Sequence, residues 1–122
     1  MISRLAALGA ALLAAATLTS TASGGAADVR MDVISASPRP PRASRPFELV
    51  ARVEFVPAPG SIRCSVRIGG NRYRNIRLTW DGAIARCVLR VPVSARGKRL
   101  VIGLVASLAG SRVRTSMAYT VS

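Results

Sequence analysis

From residue 28 to the end, the chain alternates apolar and polar residues with a period of two, in segment after segment. Val29, Met31 and Val33 alternate with Arg30 and Asp32. Phe47, Leu49, Ala51, Val53 and Phe55 alternate with Glu48, Val50, Arg52 and Glu54, and Ile62, Cys64, Val66 and Ile68 with Arg63, Ser65 and Arg67. Ile76, Leu78 and Trp80 alternate with Arg77 and Thr79. Ala83, Ala85, Cys87, Leu89 and Val91 oppose Arg86 and Arg90, and Val113, Thr115, Met117, Tyr119 and Val121 oppose Arg112 and Arg114. Successive side chains of a strand point to opposite faces, so each segment has one face to bury and one to wet. Leu100 to Ala109 is more continuously apolar, as expected of a strand covered on both faces or lying at the centre of a sheet. That makes seven expected strands and no long helix after the N-terminal segment. Turn-forming residues separate the strands at Pro57-Ala58-Pro59-Gly60, Gly69-Gly70-Asn71, Asp81-Gly82, Ala95-Arg96-Gly97-Lys98 and Ala109-Gly110-Ser111. Short strands with turns this regular predict an all-β sandwich or barrel. Ser37 to Pro46, with prolines at 38, 40, 41 and 46, predicts an extended crossover between the first two strands.

The first 27 residues have a different pattern. Arg4 precedes an apolar run from Leu5 to Leu18, and small residues crowd Ser20 to Ala27. This is the layout of a helical signal peptide, with cleavage expected after Ala27. The run is shorter than the roughly 20 apolar residues that cross a bilayer, so no stable membrane anchor is expected after cleavage. The expected organisation is a signal peptide, residues 1–27, and one domain, residues 28–122, destined for the cell envelope or the exterior. The two cysteines agree with export, since an even count outside the cytosol predicts a bridge between Cys64 and Cys87.

Asp81-Gly82-Ala83-Ile84-Ala85-Arg86-Cys87 resembles the Asp-x-Ala-x-Tyr-x-Cys stretch that enters a late strand of immunoglobulin domains, with Ala85 in the place of the tyrosine. Ser61-Ile62-Arg63-Cys64-Ser65-Val66 resembles the strand bearing their first cysteine. Trp80 stands 16 residues after Cys64, late for the core tryptophan, and two strands follow Cys87 where the antibody type has one. Residues 28–122 as a whole look like the small immunoglobulin-like domains of secreted bacterial proteins. The resemblance implies an immunoglobulin-like sandwich of about seven strands in two antiparallel sheets. It also implies a binding or structural role and no active site.

The composition narrows the chemistry independently. The chain has no His, which removes Ser-His-Asp, Cys-His and His-metal arrangements together, and two cysteines cannot complete a zinc site. No catalytic, cofactor or metal residue is expected, and no cofactor. Five acidic residues face 18 basic ones, a net charge of +13. Removing the signal takes only Arg4, leaving 17 − 5 = +12. Arginine supplies nearly all of this charge and pairs well with phosphate, sulfate and carboxylate. The expected partner is a protein or a cell-surface polymer, with a polyanion as the second reading: anionic glycopolymer, nucleic acid or membrane surface. Arg63 and Arg67 on one outer face, and Arg86 and Arg90 on the other, would spread the charge. One loop, Arg72-Tyr73-Arg74, is the candidate ligand contact, because it alone sets an aromatic ring between guanidinium groups.

Overall fold

The computed structural model describes residues 27–122, so the expected signal peptide lies outside the described residues except for Ala27. Eight strands follow: β1 (Asp28–Ser37), β2 (Pro46–Val56), β3 (Ser61–Ile68), β4 (Asn71–Tyr73), β5 (Ile76–Trp80), β6 (Ile84–Arg90), β7 (Arg99–Leu108) and β8 (Ser111–Thr120). They form two four-stranded sheets in the orders β1-β2-β6-β5 and β4-β3-β7-β8, with every pairing antiparallel. The strand beyond the expected seven is β4, three residues long, in the stretch read from sequence as turn. Gly69 and Gly70 both have positive φ, 58° and 84°, and Ile68 pairs with Asn71 around them. Two residues with positive φ make the tight hairpin turn whose twist suits the flanking strands, so the chain folds straight back on β3.

Burial follows the alternation closely. Phe47, Leu49, Ala51 and Val53 from β2 meet Leu100, Ile102, Leu104 and Ala106 from β7 in one core cluster, all fully buried. Phe47 packs edge-on against Tyr119 of β8, with ring centroids 5.5 Å apart. At the other end of β2, Phe55 packs edge-on against Trp80 at 5.2 Å, and the indole Nε1 donates to the Val53 carbonyl at 3.4 Å. The alternation breaks in β1. The register with β2 shifts between Val33 and Ser35, a bulge that leaves Val33 and Ile34 exposed and turns Ala36 inward. An extra residue on one strand reverses which side chains face the core beyond it, which is why Ala36, opposite Leu49, is buried and Ser35, opposite Val50, is not.

The proline-rich crossover is part of the fold. Pro41 and Ala43 are buried, and Ala43 N–H donates to the Ser122 carbonyl while Ser122 N–H donates to the Pro41 carbonyl, each at 2.9 Å. Ser44 N–H and the Arg45 carbonyl bond to Val91, just after β6. Through these hydrogen bonds its stretch from Pro41 to Arg45, where Pro41 and Ala43 are buried, is tied both to Ser122 and to the residue after β6.

Candidate functional site

Three arrangements bear on function. The first is the disulfide between Cys64 on β3 and Cys87 on β6, whose Cα atoms are 6.5 Å apart. It joins a central strand of each sheet. Cys87 is fully buried and lies between Leu49 and Leu78 on its neighbouring strands, while Cys64 lies beside Leu104. The bridge is therefore anchored in the core at Cys87, while Cys64 is half-buried and lines a shallow surface depression.

The second is the Arg72-Tyr73-Arg74 segment. Tyr73 pairs with Val66 and turns inward with it, packing against the core, and its hydroxyl donates to the Arg90 carbonyl at 3.0 Å, across the sandwich. The ring is half-buried and tied down at its polar end. Arg72 pairs with Arg67 on the opposite, outer side of the sheet, and Arg74 is exposed beyond the strand. The arginines and the ring thus leave the backbone on different sides, yet all three line one open depression of about 280 Å³, together with Cys64, Ser65, Val66 and Ile76.

The third arrangement is one of charge, and it emerges only when strands are assigned to sheets. The outer face of β1-β2-β6-β5 carries Arg30, Arg52, Arg77, Arg86 and Arg90 together with Asp28, Asp32, Glu48 and Glu54. The two ion pairs among the described residues are both here, Arg30 to Asp28 and Arg86 to Glu48, each at 3.3 Å. Five arginines against four carboxylates leave that face at 5 − 4 = +1. The outer face of β4-β3-β7-β8 carries Arg63, Arg67, Arg72, Arg99, Arg112 and Arg114 and no carboxylate. Its charge is 6 − 0 = +6. Spreading the basic residues over both faces, as expected from sequence, is half of the outcome. The acidic residues all fall on strands of one sheet or in the turn before β6, and this concentrates the net charge on the other sheet.

Relief reinforces the charge. Val101, Gly103, Val105 and Ser107 of β7 form a low floor between β3 and β8, because Gly103 has no side chain and its neighbours are small. Arg63 of β3 and Arg114 of β8 stand in one row on either side of Val105, and Arg112 flanks Ser107. Two adjacent depressions of about 370 and 200 Å³ lie along this floor, sharing Val105 and Arg114. Neighbouring strands are about 4.8 Å apart, so the arginine rows flank a channel about 10 Å wide between backbones.

The fifth acidic residue acts locally. Asp81 Oδ1 accepts from Ile84 N–H at 2.7 Å and Ala83 N–H at 2.9 Å, closing the turn into β6. These two backbone hydrogen bonds, Ile84 first, hold its carboxyl below the usual value.

The sequence matches no protein-family profile and no curated protein. The structure is similar to solved immunoglobulin domains of titin. Against titin M4 the TM-score is 0.57 at 9% identity, covering 77% of this chain and 95% of that one. Titin M7 gives 0.51 at 9% identity, with 75% and 93% covered. A tandem of two titin Ig domains gives 0.53 at 12% identity, covering 80% of this chain and 49% of the tandem, about half its length. At such identities the likeness is one of fold, and the fold is immunoglobulin-like.

Immunoglobulin sandwiches place strands A, B, E and D in one sheet and C, F and G in the other, with the antibody disulfide joining B to F. Here β1-β2-β6-β5 takes the A-B-E-D order, and β3-β7-β8 the C-F-G order with β4 added at its edge. Cys64 therefore lies on the C strand and Cys87 on the E strand. This corrects the strand assignment that the sequence resemblance implied. The Asp81 to Cys87 stretch enters the fifth immunoglobulin strand and not the sixth, and both β7 and β8 follow it. What it shares with the antibody motif is an aspartate that caps a turn before an alternating strand, a local device that marks no particular strand.

Proposed function

We propose that the chain is an exported, non-catalytic immunoglobulin-like domain protein that works by binding, or as a structural element, at the cell surface or outside the cell. The observation that carries this reading is the Cys64–Cys87 bridge in the middle of an immunoglobulin-like sandwich. Such bridges form and persist in oxidising compartments, and a domain of this size gains a large share of its stability from one. The Met1 to Ala27 segment supports the same destination, as the sequence pattern of a signal peptide. Among the described residues no helix is long and apolar enough to cross a membrane. A binding role agrees with the placement of the carboxylates. Asp28, Asp32 and Glu54 are exposed on a strand face, Glu48 reaches Arg86, and Asp81 is engaged by backbone N–H groups that lower its pKa. A general acid would need the opposite shift.

The test is to express the full chain in a host that exports it and to measure the intact mass of the product in each fraction. The expected product begins at Asp28, is found in the envelope or medium, and is lighter by two hydrogens than its reduced form. A full-length intracellular product with two free thiols would overturn the reading.

A further inference from the structure

We infer that the outer face of β4-β3-β7-β8 is a binding site for a linear anionic glycan, one carrying sulfate, phosphate or carboxylate groups, laid along β7 between arginine rows. The inference rests on the proposed role as a binding module outside the cell and names the class of its ligand.

Charge supplies the first argument. Six arginines share this face with no carboxylate, and none of the six is in an ion pair among the described residues. Such a cluster is repulsive within the folded domain and is relieved by an anionic partner. Guanidinium groups bind sulfate, phosphate and carboxylate in bidentate fashion, so one surface can accept all three.

Shape and surface chemistry select the polymer. The floor from Val101 to Ser107 spans six residue steps, about 20 Å along the strand. That is an elongated channel, suited to a chain and poorly suited to a flat bilayer. Ser61, Ser65, Ser107 and Ser116 offer hydroxyl groups beside the arginines on the same face. Ser61 and Ser107 already approach to 3.0 Å and supply donors and acceptors of the kind that sugar hydroxyls use. Aromatic rings, on which unpaired bases would stack, are missing from the face. All five aromatic residues, Phe47, Phe55, Tyr73, Trp80 and Tyr119, are in the core or packed against it. Single-stranded nucleic acid would therefore be held by charge alone, without the stacking that favours it.

The test uses the exported, oxidised protein and measures its affinity for heparin, a linear sulfated glycan, at several salt concentrations. Double-stranded DNA, single-stranded DNA, vesicles of anionic phospholipid and neutral dextran are run in parallel. The face variant is Arg63→Gln with Arg114→Gln. The control, Arg52→Gln with Arg77→Gln, removes the same charge from the other sheet. Heparin is expected to bind with a steep salt dependence, and the face variant to bind about 100-fold more weakly at low salt, roughly tenfold per lost contact. The slope of log affinity against log salt should fall by about one per arginine removed, as counterion release requires. The control should lose less than about threefold and keep its slope. Arg63→Lys with Arg114→Lys, which keeps the charge and loses the planar fork, should fall between the two. Equal losses in the face and control variants would overturn the inference, showing attraction by net charge alone. So would tighter binding of DNA or vesicles than heparin at the same salt, or failure to bind heparin at about 50 mM salt. An exported, oxidised protein that ignores heparin would sink the ligand class and leave the exported-module reading standing. An intracellular, reduced product would sink that reading itself.

Discussion

Removing both cysteines, Cys64→Ala with Cys87→Ala, should cost this domain about 4 kcal/mol, and the figure follows from where the bridge sits. The cross-link closes a loop of 23 residues. In the chain-entropy account that restricts the unfolded chain by about 11 cal/mol/K, or about 3 kcal/mol at room temperature. Cys87 is fully buried, so truncating it also strips a group of roughly methylene size from the core, about 0.8 kcal/mol more. A domain of about 95 residues holds only about 5 to 14 kcal/mol in total, so the loss takes between a quarter and most of it. At about 4 to 8 °C per kcal/mol the melting temperature should fall by about 15 to 30 °C. Thermal unfolding of the oxidised protein, the reduced protein and the double variant, followed by far-ultraviolet circular dichroism, separates the two contributions. The reduced protein keeps its thiols and should show the loop share, with the double variant slightly below it. A fall of less than about 5 °C on reduction would refute the reasoning, because it would mean the sandwich does not depend on the link between β3 and β6.

Three further outcomes test particular contacts. At Gly60 an added Cβ would collide with the Ser107 carbonyl oxygen and press to 2.7 Å on the Phe55 ring. Gly60→Ala should therefore cost about 2 to 3 kcal/mol in urea unfolding, while Gly103→Ala, 3.1 Å from the Thr115 carbonyl, costs clearly less. Tyr73→Phe removes the donor to the Arg90 carbonyl across the sandwich and should cost about 1 kcal/mol in the same assay. Asp81 has its pKa lowered by the Ile84 and Ala83 amides, so its contribution is present above the ordinary aspartate pKa and is lost as pH falls through the lowered value. Stability measured from neutral pH downward should decline less in Asp81→Ala than in the unaltered protein, and parallel declines would refute the assignment.

Much of the sandwich was legible because alternation is a local property. Seven of the eight strands, the inward set of β2, β3, β5, β6 and β8, and the pairing of Cys64 with Cys87 follow from side-chain spacing and cysteine count, while the continuous apolar run of β7 showed a strand without showing its inner face. The failures share one cause, that a strand's identity within a fold is set by partners distant in sequence. The bulge in β1 depends on how Val33 to Ser35 meets Val50 and Ala51 of β2, and nothing in the β1 sequence announces the slip. The Asp81 turn reports how β6 begins and not which sheet it joins, so its likeness to the antibody motif pointed to the wrong strand. For β4, three residues held by a two-glycine turn are too few to show a period.

The charge segregation follows the same logic and changes the weight of the functional readings. Four of the five carboxylates lie on β1 and β2, which are sequence neighbours and also neighbours in one sheet. The strands that build the other sheet, β3, β4, β7 and β8, carry no carboxylate at all. Along the sequence this is visible only as acidic residues clustering early, while the arginines run evenly to the end. Folding sorts the two distributions because β6 and β5 return to the first sheet and β7 and β8 to the second. The arginines fall almost evenly, five on one face and six on the other, so an arginine-rich composition accounts for their number, and what makes one face +6 and the other +1 is the placement of the carboxylates. A ligand laid along β7 gives a reason for that placement: acidic side chains beside it would repel the anion, whereas on the other sheet they can pair with Arg30 and Arg86 without affecting it.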